Sequence, residues 1–165
     1  MILAFTLSAL LSATASGDEL EVKGVHLGST IDEVRFAWSI NLEPADGLPY
    51  CSERLCRNKV LAFADTRLEA SAVVNKGKVC AIYGEFPSFK FELVKASFLN
   101  KYGAPTSTEK VEKRNAFNAV FVGEQLIWAN GKNLLTIDQV ATGMNTSSIS
   151  LKGEPCDKAT VSSDI

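Results

Sequence analysis

Two stretches of the chain carry apolar residues at helical spacing, and much of the remainder alternates or runs apolar in strand-length segments. In "STIDEVRFAW", Ile31, Val34 and Trp38 fall at i, i+3 and i+7, which predicts a helix that turns this face to the core. Thr30 and Glu33 have the spacing of a capping box, where hydroxyl and carboxylate each satisfy an orphan backbone N–H. Asp32 and Glu33 also suit the positive end of a helix. "GVHLG" ahead of them predicts a short extended lead-in. In "PSFKFELVKASFLNKYGAP", Phe91, Val94, Phe98 and Tyr102 repeat along one face, and Leu93 and Leu99 widen it. Ser88 is the expected N-cap, Lys95 and Lys101 face water, and Gly103 and Pro105 end the helix.

Between and after the helices the pattern predicts strands. "VLAF" is one. "RLEASAVV" is another, with Leu68, Ala70 and Ala72 on one face. "NKGK" turns the chain, Gly77 being free to take positive φ, and "VCAIYGEF" returns as the partner strand. "STEKVEKRN" predicts an exposed strand. "AVFV", "QLIWA" and "NLLTIDQV" follow as three strands, joined at Gly123-Glu124 and at Asn130-Gly131, and "SISLK" is the last. "NLEPADGLPYCSERLCRNK" is expected to be loop. The order of helix, strands, helix, strands predicts an α+β fold: an antiparallel sheet with two helices packed on one face, stapled by disulfides. "GSTIDEV" and "PSFKFELV" each set a hydroxyl before a Glu–apolar helix that leads into strands, a faint internal repeat.

The N-terminus changes the picture. The first 17 residues hold no charge, and the apolar run from Met1 to Leu11 leads into Ser12–Ser16, with Ala13 and Ala15 at the A-x-A positions. This predicts a cleaved signal peptide over residues 1–15. The run is short of the ~20 residues needed to cross a bilayer, and no Cys follows it. Neither a transmembrane segment nor a lipid anchor is expected. Residues 16–165 then form a single α+β domain with a flexible C-terminal tail, periplasmic or secreted. The net charge of −2, with 17 basic and 19 acidic side chains interspersed, lacks the basic excess of a nucleic-acid binder.

Export bears on the four cysteines, Cys51, Cys56, Cys80 and Cys156. Their spacing suits neither a zinc site nor a C-x-x-C redox motif, and the only histidine, His26, is remote in sequence. An even count in an exported chain points to disulfides. Three pairings are possible, of which Cys51–Cys56 and Cys80–Cys156 are favoured. The first closes a tight loop. The second ties a central strand to the tail, a long closure that stabilises by ~4 kcal/mol in the chain-entropy picture.

No catalytic constellation stands out. G-x-S-x-G is absent, and Asp32, Glu33, Asp65, Glu69 and Glu85 show no paired spacing that demands acid–base work. His26 sits at a glycine-flanked helix entrance and is expected to play no special part. No cofactor or metal is expected. Trp38 and Trp128 fall on core faces. Asn145-Thr146-Ser147 is a formal glycosylation sequon, relevant only in a eukaryotic secretory pathway. The 48–59 loop offers Tyr50, Arg54 and Arg57 as binding residues, types enriched in interface hot spots, on a loop whose disulfide lowers the entropy lost on binding. The expected function is an exported, non-catalytic module that binds another exported or envelope protein through this loop or an exposed sheet face. A small secreted hydrolase or ligand-binding protein is the alternative.

The motifs "LGSTIDEV" and "KYGAP" resemble those of small exported bacterial proteins, in which a G-x-[ST]-x-x-[ED]-V helix start precedes a sheet that packs on it. The pattern is similar to the small protein A group of envelope proteins and to the β-lactamase inhibitor protein architecture. The resemblance covers about 25 residues and implies a helix-plus-sheet scaffold for protein contacts, of inhibitor, immunity or envelope-accessory type. The lipid-attachment cysteine of the first group is missing, and no contact residue carries over.

Overall fold

The computed structural model describes residues 19–39, 50–114, 118–154 and 156. The expected signal peptide, residues 40–49 of the expected loop and most of the tail lie outside the described residues. A small hairpin, β1 (Glu21–Val22) and β2 (Val25–His26), leads into α1 (Ile31–Ser39). Four strands follow: β3 (Tyr50–Cys51), β4 (Leu55–Phe63), β5 (Thr66–Asn75) and β6 (Lys78–Pro87). A single 3-10 turn, Ser88–Lys90, opens into α2 (Phe91–Tyr102). Four more strands follow: β7 (Ser107–Arg114), β8 (Val120–Asn130), β9 (Asn133–Gly143) and β10 (Thr146–Lys152).

This arrangement corrects the α+β expectation. Strands hold 59% of the described residues and helices only 19%, so the fold is mostly β. Eight strands form one antiparallel sheet in the order β3-β4-β5-β6-β10-β9-β8-β7. Two meanders, each preceded by a helix, meet where β6 pairs with β10, Ile149 opposite Gly84 and Leu151 opposite Ile82. The expectation undercounted strand because stretches with the composition of loop or turn are paired. "YC" and "LCRN" belong to β3 and β4, and β8 runs straight through Gly123, where a turn was expected. Gly123 serves a close approach instead: a Cβ there would lie 2.9 Å from Cγ2 of Val140 and 3.2 Å from its backbone nitrogen. The turn between β8 and β9 falls one residue late, at Gly131-Lys132, with Gly131 at φ +61° in the first turn position.

Alternation along the strands separates the two faces. Leu68, Ala70, Ala72 and Val74 of β5 are buried on one side, level with Ile82, Ile149, Leu151, Leu135, Ile137, Leu126 and Trp128 of neighbouring strands. Both helices feed this layer. Val34 and Trp38 of α1 are fully buried, and Ile31 packs against the cluster. Phe91, Val94 and Phe98 of α2 are buried, whereas Leu93 is left largely exposed. The Phe98 ring lies 5.2 Å from Phe63 and 6.0 Å from Trp128, centroid to centroid. Buried polar atoms are partnered: the Trp38 indole N–H donates to the Val22 carbonyl and that of Trp128 to the Gly103 carbonyl.

A capping box explains where the first helix starts. The Thr30 backbone N–H donates to the Glu33 carboxylate at 2.6 Å, and the Glu33 N–H donates to the Thr30 hydroxyl at 3.2 Å, a complete capping box. The second helix differs from expectation. Ser88 does not cap it; its N–H donates to the Asn145 carbonyl, and the helix begins after Lys90 with no side-chain cap. At the far end the Gly103 N–H returns to the Leu99 carbonyl with φ +73°. Lys95 and Lys101 do not simply face water, since they pair with Glu124 and Glu21.

Truncating Phe98 to Ala removes the ring that joins α2 to both meanders, and stability in urea should fall by about 3–5 kcal/mol. A second prediction concerns pH. The backbone N–H of Thr30, and then its hydroxyl, hold the Glu33 carboxyl below the ordinary 4.5. A lowered folded-state value contributes stability that is present above 4.5 and lost as pH falls through the lowered value. Urea titrations across pH should therefore show wild type more stable than Glu33→Gln above that window, with the gap closing below it.

Candidate functional site

The β3–β4 hairpin presents the residues singled out in the sequence. Ser52 builds its turn: its N–H donates to the Leu55 carbonyl at 2.8 Å, and its hydroxyl accepts from the N–H groups of Arg54 and Leu55. Cys51 and Cys56 face each other across the two strands, Cα atoms 4.0 Å apart, and are joined by a disulfide. A second disulfide joins Cys80 to Cys156. The hairpin tip is pinned to β5 by the Val74 N–H, which donates to the Arg54 carbonyl at 2.8 Å.

Because side chains alternate, the partners next to the buried Cys56 point to the other side of the sheet. Tyr50 lies directly opposite Arg57, and Arg57 opposite Ser71. Tyr50 is 69% exposed. The structure thus brings Tyr50 and Arg57 together on the face that carries no described helix. Arg54 sits at the hairpin tip, exposed.

The same face is hollowed beside Arg57. A bulge in β4 between Asn58 and Leu61 sets two residues against Glu69 alone. Asn58 holds the bulge, its side-chain oxygen accepting from the Val60 N–H at 2.9 Å. The resulting cleft of about 250 Å³ is lined by Arg57, Glu69, Ser71, Tyr83 and Glu85 along with Asn58, Ala70 and Gly84. A second hollow, of about 490 Å³, adjoins it through Glu69 and Glu85 and reaches Arg67, Val60, Phe86, Pro87, Asn145 and Thr146. Glu69 stands directly opposite Glu85. Tyr83, 41% exposed, carries the Lys152 ammonium 5.2 Å above its ring.

Sequence reasoning missed Tyr83 and the meeting of the two glutamates. The turn pairs Asn75 with Lys78, and counting back from it sets Glu69 against Gly84. A register shift between Val73 and Val74 moves the pairing to Glu85. No residue pattern announces that shift.

His26 belongs to a different part of the molecule. Its Nδ1 lies 2.9 Å from the Leu27 carbonyl and 3.2 Å from a Glu19 carboxylate oxygen, and its backbone N–H donates to the Ser29 hydroxyl. Among the described residues, no group of three or more His, Cys, Asp or Glu side chains is placed to hold a metal ion, and no helix is long and apolar enough to cross a membrane. No protein family, curated protein or solved structure matches the chain.

Exposed side chains outside any core contact contribute little to folding. The single changes Tyr50→Ala, Arg54→Ala and Arg57→Ala should each leave stability in urea within about 0.5 kcal/mol of wild type.

Proposed function

We propose that the chain is an exported, non-catalytic module that binds another exported or envelope protein through the sheet face bearing Tyr50 and Arg57. The observation that carries this reading is the Tyr50–Arg57 cross-strand pair, exposed on a hairpin held by the Cys51–Cys56 disulfide and by main-chain bonds to β5. An aromatic ring beside a guanidinium supplies contact area and a charged donor fork, the combination common in interface hot spots. A hairpin already ordered before the encounter loses little conformational freedom on binding. The face around it is a shallow, mixed-charge surface continuous with the hairpin, which favours contact with another folded surface over capture of a small molecule.

Periplasmic or secreted localisation belongs to the same proposal. Two disulfides in a domain of this size suit an oxidising compartment. An inhibitor, immunity or envelope-accessory role fits such a module, in line with the resemblance of "LGSTIDEV" and "KYGAP" to small exported helix-plus-sheet proteins.

Affinity capture tests the reading. The oxidised protein, immobilised, should retain one stoichiometric partner from an exported-protein extract, and the Tyr50→Ala/Arg57→Ala double variant should lose it. Undiminished capture by the variant would remove this face from the interface, and a blank with wild type would remove the binding function.

A further inference from the structure

We propose that the β7 edge pairs antiparallel with β7 of a second copy of this chain, about a two-fold axis at Val111, so that the two sheets join into one. This goes beyond the protein-binding reading and does not depend on it. Tyr50 and Arg57 lie at the β3–β4 end of the sheet, and β7 lies at the other end.

An edge strand presents a row of unpaired N–H and C=O groups, a template for a further strand. Among the described residues β7 pairs with β8 alone, in unbroken register from Ser107 to Arg114. Thr108, Glu109, Lys110, Glu112 and Arg114 are exposed along it, and Val111 and Lys113 are half-buried.

Charges on an edge keep most strands away, but their order in β7 leaves one exception. About Val111 the strand reads Glu109, Lys110, Val111, Glu112, Lys113. Reversing it about its centre exchanges each acid for a base. With Val111 opposite Val111 of the second copy, Glu109 faces Lys113 and Lys110 faces Glu112, and symmetry repeats both pairs. That is the self-complementarity a two-fold contact requires, in which residue i meets j and j meets i. Opposite charges directly across a strand pair are favourable, and like charges are not. A slip of one residue sets Glu109 against Glu112 in one direction and Lys110 against Lys113 in the other. Parallel alignment in register opposes each charge to its own kind. The residues that attract a second copy in one register therefore reject the alternatives.

The neighbouring strand suits the same register. Lys110 stands opposite Glu124 of β8, so its row reads Glu124, Lys110, then Glu112 of the second copy, alternating in sign. Val111 stands opposite Gly123, which leaves its methyl groups to meet those of the second Val111 at the axis. Lys113 Nζ is 4.0 Å from Asp138 Oδ1. That exceeds hydrogen-bond length, so the ammonium keeps donors for Glu109 of the second copy. A single strand pair is a small contact, which makes the dimer weak and reversible.

Sedimentation equilibrium of the oxidised protein tests this, over a concentration series reaching about 1 mM, the range of a weak complex. Wild type should show a monomer–dimer equilibrium. Glu109→Lys/Lys110→Glu and Glu112→Lys/Lys113→Glu each set like charges against each other in the homodimer, and each should dimerise at least about tenfold more weakly. Mixed in equal amounts, the two variants match again at each of these positions and should recover dimer at wild-type strength. That recovery also shows that both variants fold. Wild type that stays monomeric throughout, variants that dimerise as wild type does, or a mixture that stays monomeric would each overturn the proposal.

Discussion

The Asn58 side chain joins two main-chain groups across an otherwise apolar layer. Its amide N–H donates to the Trp38 carbonyl near the end of α1 at 3.1 Å, and its oxygen accepts from the Val60 N–H inside the β4 bulge. Trp38 is among the last residues of its helix, where carbonyls lack intrahelical partners. Val60 is in a bulge, where the strand ladder is locally disrupted. One amide, 4% exposed, answers both needs. Without it, both main-chain groups would lose this partner, and a group left unpaired near the core costs about 1–3 kcal/mol. The position of α1 and the path of β4 are therefore set by the same contact. So is the cleft, because the bulge that Asn58 holds is what sets two β4 residues against Glu69.

A comparable coupling runs through Cys80. The register of β5 and β6 shifts between Val73 and Val74, where Val74 pairs with Val79 and Val73 with Ala81. Cys80 is the residue passed over, and its disulfide fastens the chain at Cys156 to that point. The turn below it is tied to the start of α1, since Gly28 and Ser29 exchange main-chain bonds with Val79. The shift thus lies beside the helix entrance and the C-terminal anchor, and it governs which residues of β5 and β6 meet farther along the sheet. The opposite edge is handled differently. Among the described residues β7 pairs with β8 alone, and it reads "STEKVEKR", a charged stretch that discourages indiscriminate strand pairing.

Local chemistry was legible in the sequence where its cause is local. The Thr30–Glu33 box, the helix face of Val34 and Trp38, and the turn at Lys76-Gly77 follow from residues a few positions apart. Strand alternation in β5 showed which side would be buried. What the sequence hid depends on distant neighbours. Gly123 has the composition of a turn, but it stays in β8 because Val140 packs against its bare backbone. Ser88 has the composition of a cap, but Ser88–Lys90 wind into a 3-10 turn ahead of α2, which places Lys90 at the cap position. The loop-like flanks of the first disulfide became strand because a partner was within reach. These add up to a sheet larger than the pattern suggested, and to a mostly β fold. Of the candidate site, Tyr50 and Arg57 were visible as residue types in a stapled loop. Their direct pairing, and the company of Tyr83, Glu69 and Glu85, were not.

Charge pairs occur on both faces of the sheet, including Lys113 with Asp138 on the face away from the helices. On the helix side the charges are paired off at the margin, Lys95 with Glu124 and Lys101 with Glu21, and the interior is apolar or hydrogen-bonded. Burial pulls the Lys101 ammonium down, but the hydrogen bond to Glu21 and the neighbouring Tyr102 outweigh it, and its pKa ends raised. The other face keeps Arg57, Arg67, Glu69 and Glu85 within adjoining hollows, and among the described residues none of them is paired. Folding alone gives no reason to place two glutamates opposite each other, and substituting either would ease the sheet.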